Sequence, residues 1–381
     1  MRVLVWQWGR RGAGPRFAAC LADALRGRPG VEVTLSLNRD AEIMRGECPP
    51  RCEMPVRTYG GMVSFLLRFV TAPFALPLLI ARLRRFRPDL AICAMPGPLD
   101  LLMAAAVKLL GGRLVVIVHD AEPHLGDGFP MQMVLQRLLC RWADGLAALC
   151  GHVADRVRRQ GLHRPLIPFE HPPFGFDIPA EARPPLRPRL GPPQEPLRLL
   201  CFGRLLPYKG LDLLAAALAD CSGPLHVRVI GLGPESPALD ALRACPGVTV
   251  ENRWVPEQEI GEILAWSDAL ILPYREASQS GVAAAAIAAG RPVIATRVGG
   301  LREQLAGTPQ AVLCDPDPAS LARAIRLWMD TPPAAIAPVD ATLAWRQAAE
   351  GLMQGIAAVL PRRISASFPP PIALRPLPPA A

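Results

Sequence analysis

The run Cys201-Phe202-Gly203-Arg204-Leu205-Leu206-Pro207-Tyr208-Lys209-Gly210-Leu211 decides how this chain is read. An apolar stretch leads into it from residue 197, and an apolar helical pattern begins near Gly210. A strand that stops at a glycine, crosses a short loop and enters a helix is half of a β-α-β unit, the repeat from which parallel sheets are built. Arg204 and Lys209 stand in that loop, at the carboxyl end of the strand, the edge where open α/β sheets hold their ligands. The same pattern extends in both directions. Upstream, strand-like runs occupy residues 3–6, 31–37, 89–95, 114–120, 145–150 and 166–169, with helical stretches such as 16–26, 99–110 and 131–142 between them. Downstream they occupy 197–203, 225–231, 248–254, 268–274, 292–297 and 311–314, with helices over 210–219 and 281–289. Continuous apolar strands separated by helices belong to parallel sheets covered on both faces. The expected fold class is α/β: two doubly wound, Rossmann-like units in tandem, facing a shared cleft.

Residues 176–196 are dense in proline and arginine and show no apolar period, which marks a linker. The expected organisation is a first unit over 1–175, this linker, a second unit over 197–335, a helix over 341–360 and a proline-rich tail over 361–381 that is read as disordered.

At 381 residues and 51% hydrophobic composition the chain can build two cores. The formal charge of +9 does not have the character of a nucleic-acid footprint. All but two of the 42 basic residues are arginine, they are dispersed, and no aromatic residues are interleaved with them, so no nucleic-acid partner is expected. The excess charge suits anionic substrates or an anionic membrane surface. The ten cysteines are scattered, and Cys48 and Cys52 have no companion pair at zinc-like spacing. Reduced thiols and no metal site are expected. The apolar run at Met1 is broken by Gly9-Arg10-Arg11, unlike a signal peptide, which sets the expected location in the cytoplasm. Residues 69–81 carry no charge, lie between Arg68 and Arg82, and are too few to span a bilayer, which needs about 20. Two readings stand for them. One is a surface helix covering the sheet. The other is a monotopic patch beside Arg82, Arg84, Arg85 and Arg87 on the inner face of the plasma membrane.

A second element completes the chemistry. In Pro273-Tyr274-Arg275-Glu276-Ala277-Ser278-Gln279-Ser280-Gly281-Val282 a strand exits into a short polar loop, and Ser280 and Gly281 open a helix of small residues. Its free N–H groups and dipole make an anion site, compatible with Ser280 as an ordinary N-cap. Arg204 as a fork and Lys209 as a point charge can meet the same diphosphate. Lys209 stands out because Lys108 is the only other lysine. Asp315-Pro316-Asp317 precedes a helix and reads as its cap. His119-Asp120-Ala121-Glu122-Pro123-His124 reads as a polar cleft loop, since it lacks the helical His-Glu-x-x-His context of a metal site. His152 and His226 read as structural or solvated.

The run 202–211, Gly231-Leu232-Gly233-Pro234-Glu235, and the stretch from Ser267 through Pro292-Val293-Ile294-Ala295-Thr296 to Gly299-Gly300 resemble retaining glycosyltransferases of the family-4 type, which have the GT-B fold. The likeness covers nearly all of 197–330. It reaches more loosely to the glycine-rich loop 9–14, to Val118-His119-Asp120 and to the final helix with Trp345. It implies a metal-independent hexosyltransferase, with an acceptor-binding first unit and a second unit that binds the nucleotide sugar. Arg204 and Lys209 are then placed on the donor diphosphate, with backbone amides from Ser280, Gly281 and Val282. Gly203, Gly231 and Gly233 would line the donor, Gly12 would lie near donor and acceptor, and His119 beside the transferred sugar. The final helix would cross back onto the first unit. No cofactor is implied beyond the nucleoside-diphosphate sugar as co-substrate.

One departure stands. Members of the family carry two glutamates, the second inside the helix; counted back from Gly290 these positions are Ala277 and Ala285. Glu276, beside Ala277, is the candidate for the first role, and no carboxylate replaces the second, which in the family usually holds the nucleotide ribose. The leading expectation is transfer of a sugar, with retention, to a glycan or polyprenyl-linked acceptor in bacterial-type surface polysaccharide assembly. A catalytically weak GT-B partner subunit and a nucleotide-sugar epimerase are the competing readings.

Overall fold

A computed structural model of the chain describes residues 1–59, 62–124, 126, 130–178, 196–331 and 338–360. Most of the expected linker, the stretch 332–337 and the tail from 361 lie outside the described residues.

The first sheet comprises β1 (Arg2–Gln7), β2 (Glu32–Leu37), β3 (Leu90–Cys93), β4 (Arg113–Val118), β5 (Gly145–Ala148) and β6 (Leu166–Pro168). The helices that alternate with them are α1 (Ala13–Arg26), α2 (Met62–Phe86), α3 (Asp100–Leu109), α4 (Pro130–Trp142) and α5 (Gly151–Arg159). All pairings are parallel, in the order β2-β1-β3-β4-β5-β6. The second sheet holds β7 (Leu197–Phe202), β8 (Leu225–Gly231), β9 (Val248–Asn252), β10 (Ala269–Leu272), β11 (Val293–Thr296) and β12 (Ala311–Cys314). Its helices are α6 (Leu211–Ala219), α7 (Pro237–Ala244), α8 (Glu257–Trp266), α9 (Gly281–Ala288), α10 (Gly299–Leu305) and α11 (Pro318–Asp330). It too is parallel, in the order β12-β11-β10-β7-β8-β9. The α/β class and the pair of doubly wound sheets read from the sequence are those observed.

Alternation along each strand feeds two cores per sheet, as β structure with helices on both faces requires. Val3 and Val5 face one core of the first sheet, while Leu4 and Trp6 face the other. In the second sheet Leu199 and Cys201 face one side and Leu200 the other. All ten cysteines are free. Burial pushes the thiols of Cys140 and Cys201 up to about 12, so they pack as small apolar side chains.

Two helices need separate description. α2 is longer than the uncharged segment at 69–81, and it continues through Pro73 and Pro77. Interior prolines forfeit a backbone bond and bend a helix; what holds α2 in place is its inner face, where Leu79 and Leu83 are buried in the sheet's core. α12 (Ala341–Val359) packs on α1 and β6 of the first sheet. Trp345 meets Phe17 edge-on at 4.9 Å and stacks on Phe174 at 6.0 Å. Its indole N–H donates to the Pro173 carbonyl at 2.9 Å. Removing that ring should leave a cavity in the first core. Trp345→Ala is expected to cost about 3–5 kcal/mol of stability, read by urea denaturation. An unchanged midpoint would show that α12 does not belong to this core.

Candidate functional site

The order of the second sheet reverses between β7 and β10, which pair at Leu199 with Ala269 and Leu200 with Leu270. At such a switch point the loops leaving the two carboxyl ends part and open a crevice. These are the loop carrying Arg204 and Lys209 and the loop 273–280. They are joined by backbone: the Arg275 N–H donates to the Tyr208 carbonyl at 2.8 Å. Gly210 lies at φ 67°, in the left-handed region, and a Cβ there would collide with the carbonyl of Pro273. Only glycine allows that approach. Gly231 is pressed against the Gly203 carbonyl, and Gly233 against that of Leu205. The Gly233 N–H is held by Asn252 Oδ1 at 3.0 Å.

Two tyrosines organise the cations. The Lys209 ammonium lies 3.7 Å from the centroid of the Tyr274 ring and 4.9 Å from that of Tyr208. The ring faces attract it electrostatically. Arg204 Nη2 donates to the Tyr208 hydroxyl at 3.1 Å. Tyr274 is fully buried, burial pushes its phenol far up, and the neutral hydroxyl lies 3.3 Å from Ser280 Oγ. Ser280 Oγ accepts from the Ala283 N–H at 3.2 Å and so caps α9. The Ser280 N–H is itself taken by Gln304 Oε1 at 2.8 Å. That leaves the Gly281 and Val282 amides, which helix geometry provides with no intrahelical acceptor. A Cβ on Gly203 would sit 3.4 Å from Val282, so strand end and helix start adjoin. From the first unit, Ala13 at the start of α1 comes close to Gly281, and Gly12, at φ 81°, is the N-cap of α1 without a side-chain capping bond.

His119 enters from the carboxyl end of β4. Its Nε2–H donates to the Ala94 carbonyl at 2.8 Å, which leaves Nδ1 to accept from Gln279 Nε2 at 3.0 Å across the cleft. Burial pulls its pKa down to about 4, so the ring is neutral. His124 behaves oppositely. It stacks on Tyr208 with centroids 4.6 Å apart and planes at 16°. Its Nε2 lies 3.0 Å from Asp120 and its Nδ1 3.6 Å from Glu276. Burial opposes the charged ring, but the bond to Asp120 and the charges of Asp120 and Glu276 outweigh it and raise the pKa. Glu276 also pairs with Arg156 at 3.4 Å, and Arg156 lies 2.5 Å from Glu122. The carboxylate of Glu276 is therefore turned toward the first unit. Ala285 is buried in a core of the second sheet.

The two units meet elsewhere too. Glu303 on α10 accepts from the Gly151 and His152 N–H groups at 2.7 and 2.9 Å, capping α5 of the other unit. Arg16 pairs with Glu257, and the Trp254 indole donates to Glu42 at 3.1 Å. Asp317 is the N-cap of α11, bonded to the Ser320 N–H at 2.9 Å, and Asp315 pairs with Arg297. Among the described residues no three His, Cys, Asp or Glu side chains converge as a metal site would require.

Sequence reasoning singled out Arg204, Lys209 and the α9 start, and it missed the groups that hold them. Tyr208 and Tyr274 were legible in principle: the chain has three tyrosines, and two flank these loops. Gln279, Arg156 and Glu303 act across the cleft and left no local signal.

Residues 12–168 match the family described as Glycosyl transferase 4-like domain, and residues 196–331 the family described as Glycosyl transferases group 1. The two matches fall on the two sheet-bearing units in turn, and the two facing sheets have the GT-B arrangement. Among curated relatives, the D-inositol 3-phosphate glycosyltransferase of Streptomyces avermitilis is 33% identical over 210 residues, 50% of this chain and 45% of that protein. The GDP-mannose:glycolipid 4-beta-D-mannosyltransferase of Xanthomonas campestris pv. campestris is 27% identical over 51% of this chain and 53% of that one. The chain thus matches about half the length of these relatives. Among solved structures, sucrose-phosphate synthase from Thermosynechococcus elongatus superposes with TM-score 0.65 and 16% identity, covering 94% of this chain and 96% of that one. UDP-GlcNAc 2-epimerase from Neisseria meningitidis superposes with TM-score 0.57 and 10% identity over 94% and 100%. At these identities the structural likeness is one of fold.

The two histidines should titrate in opposite senses. His119 is expected to stay neutral, with its proton on Nε2, down to about pH 4, against an ordinary value of 6.5. Its contribution to stability is present above pH 6.5 and lost as pH falls toward 4. His124 is expected to gain its second proton above 6.5, and its contribution is lost as pH rises through that raised value. Long-range 1H–15N NMR titration resolves both, and two rings titrating together near 6.5 would contradict the geometry.

Proposed function

We propose that this protein moves a hexosyl unit from a nucleoside-diphosphate sugar to a hydroxyl of a glycan or lipid-linked glycan, with retention of anomeric configuration, in surface polysaccharide assembly. One observation carries the reading: Lys209 rests on Tyr274, Tyr274 is bonded to Ser280 at the α9 N-terminus, and Arg204 is held by the neighbouring Tyr208. Two cations and an open helix end thus sit on one aromatic frame, at the switch point of the second sheet. Cleavage of the anomeric C–O bond builds negative charge on the departing diphosphate. Partners fixed in advance stabilise that charge more as it grows, which lowers the barrier. In this reading the cations and amides bear the charge that a divalent ion carries in other phosphate sites, and no cofactor beyond the sugar nucleotide is required.

His119, neutral and aligned by Gln279, is proposed to face the transferred sugar, with Gly12 between donor and acceptor. Gly203, Gly231 and Gly233 are proposed to let the nucleotide approach the backbone. The glycolipid named for the Xanthomonas relative is in keeping with a lipid-linked acceptor.

Ala285 favours a second reading, a nucleotide-free partner subunit, because an alanine buried in the core offers nothing to a ribose. Calorimetry with UDP, GDP and ADP separates the two, since the transferase reading requires one of them to bind. With that nucleotide's sugars as donors, Lys209→Ala and Arg204→Ala are each expected to lower turnover by about a hundredfold or more, the scale of losing a charge-stabilising donor. Near-normal turnover in both would overturn the assignment.

A further inference from the structure

The described part of α2 presents an apolar stripe to solvent. Val63, Leu66, Leu67, Val70, Phe74 and Leu78 are 59–83% exposed, with Phe74 at 82%. At 3.6 residues per turn they fall within an arc of about 120° and run for about 22 Å along the helix. Arg84 and Arg85 continue the same arc one to two turns further on, both exposed. The opposite face of α2, through Leu79 and Leu83, is buried in the first sheet's core. Scattered exposed apolar residues are ordinary, whereas a continuous stripe ending in cations is the pattern of an interfacial helix. α3 packs against both α2 and α4, and α4 adds a second stripe through Met131, Val134 and Leu138.

We propose that this helical layer docks on the surface of an anionic lipid bilayer, with the α2 stripe in the headgroup–acyl boundary and Arg84 and Arg85 on lipid phosphates. Charge selects the occupant. α2 and α4 contain no acidic residue and carry Arg68, Arg82, Arg84, Arg85, Arg137 and Arg141 between them. A second copy of the same face would bring like charges together, whereas an anionic lipid surface neutralises them. The helix lies on the bilayer and does not cross it. No described helix is long and apolar enough to span, and one face of α2 is committed to the core. Placement ties the surface to the cleft. The chain entering α2 is held at the carboxyl end of β1, where Asn38 Nδ2 donates to the Tyr59 carbonyl at 3.2 Å and to that of Trp8 at 3.4 Å. Gly126, ahead of α4, abuts Pro207 of the loop that bears Lys209. A bilayer under this layer holds the cleft rim at lipid level, where a lipid-linked acceptor would be presented. That last step alone rests on the transferase reading.

The test is flotation of the full chain with phosphatidylcholine vesicles containing about 30% phosphatidylglycerol, and with phosphatidylcholine alone. The wild type is expected to float with the anionic vesicles and to be released by high salt. The pairs Val70→Ser with Phe74→Ser, and Arg84→Glu with Arg85→Glu, are each expected to lower the bound fraction by more than about tenfold. All four positions are exposed, so thermal unfolding should be unchanged. A wild type that stays at the bottom, or variants that float equally well, overturns the proposal. So does a concentration-dependent dimer that Val70→Ser with Phe74→Ser abolishes, which would assign the face to a second copy. Nucleoside-diphosphate calorimetry on the same proteins reads the donor site separately, so failure of one proposal leaves the other standing.

Discussion

The ammonium of Lys209 rests on the face of a tyrosine whose hydroxyl bonds to the first cap of a helix. That contact joins two loops that are far apart in the chain and adjacent at the reversal of strand order. Everything proposed for the second unit depends on it. A cation on a flexible four-carbon stem is a poor partner for a diphosphate unless something restricts it, and the buried ring does so without neutralising it. Arg204 is restrained in the same way through Tyr208. The two contacts restrict both side chains, and in the proposed reading preorganisation of this kind favours the charged leaving group over the bound ground state.

The first unit brings two histidines of opposite character to the cleft. His119 is buried against Phe17 and stays neutral, with its tautomer set by a carbonyl on one side and an amide donor on the other. His124 lies against the ring of Tyr208 between two carboxylates and favours its charged form. Residue type does not separate them; the balance between desolvation and neighbouring charge does. The loop 273–280 brings Glu276 onto Arg156, and α10 caps α5 across the cleft through Glu303. Hydrogen bonds and ion pairs are thus among the contacts that join the two units.

Much of the architecture was legible from the chain. Alternating apolar runs and helices imply parallel sheets, because only a sheet covered on both faces hides such strands. The positions of Arg204, Lys209 and Ser280 followed from where strands end and helices begin. The extent of α2 was not legible. Its two prolines and its uncharged middle read as a short segment, and the helix persists because Leu79 and Leu83 anchor it in the core. Glu276 stood as the candidate for the first of the family's two glutamates on its place in a motif; its carboxylate is engaged by His124 and Arg156, which come from a distant part of the chain.

By itself, then, the sequence determined the class of fold, the edge of each sheet at which a site could form, and the cations and helix end available there. Those features rest on periodicity and on the order of strand, loop and helix, which are local. Tertiary structure alone decided which loops touch, because the reversal of strand order at β7 and β10 sets Lys209 beside Tyr274. It also decided in which direction each histidine's pKa moves and which apolar face of α2 meets solvent, since burial and pairing across a cleft depend on residues that no local pattern brings together.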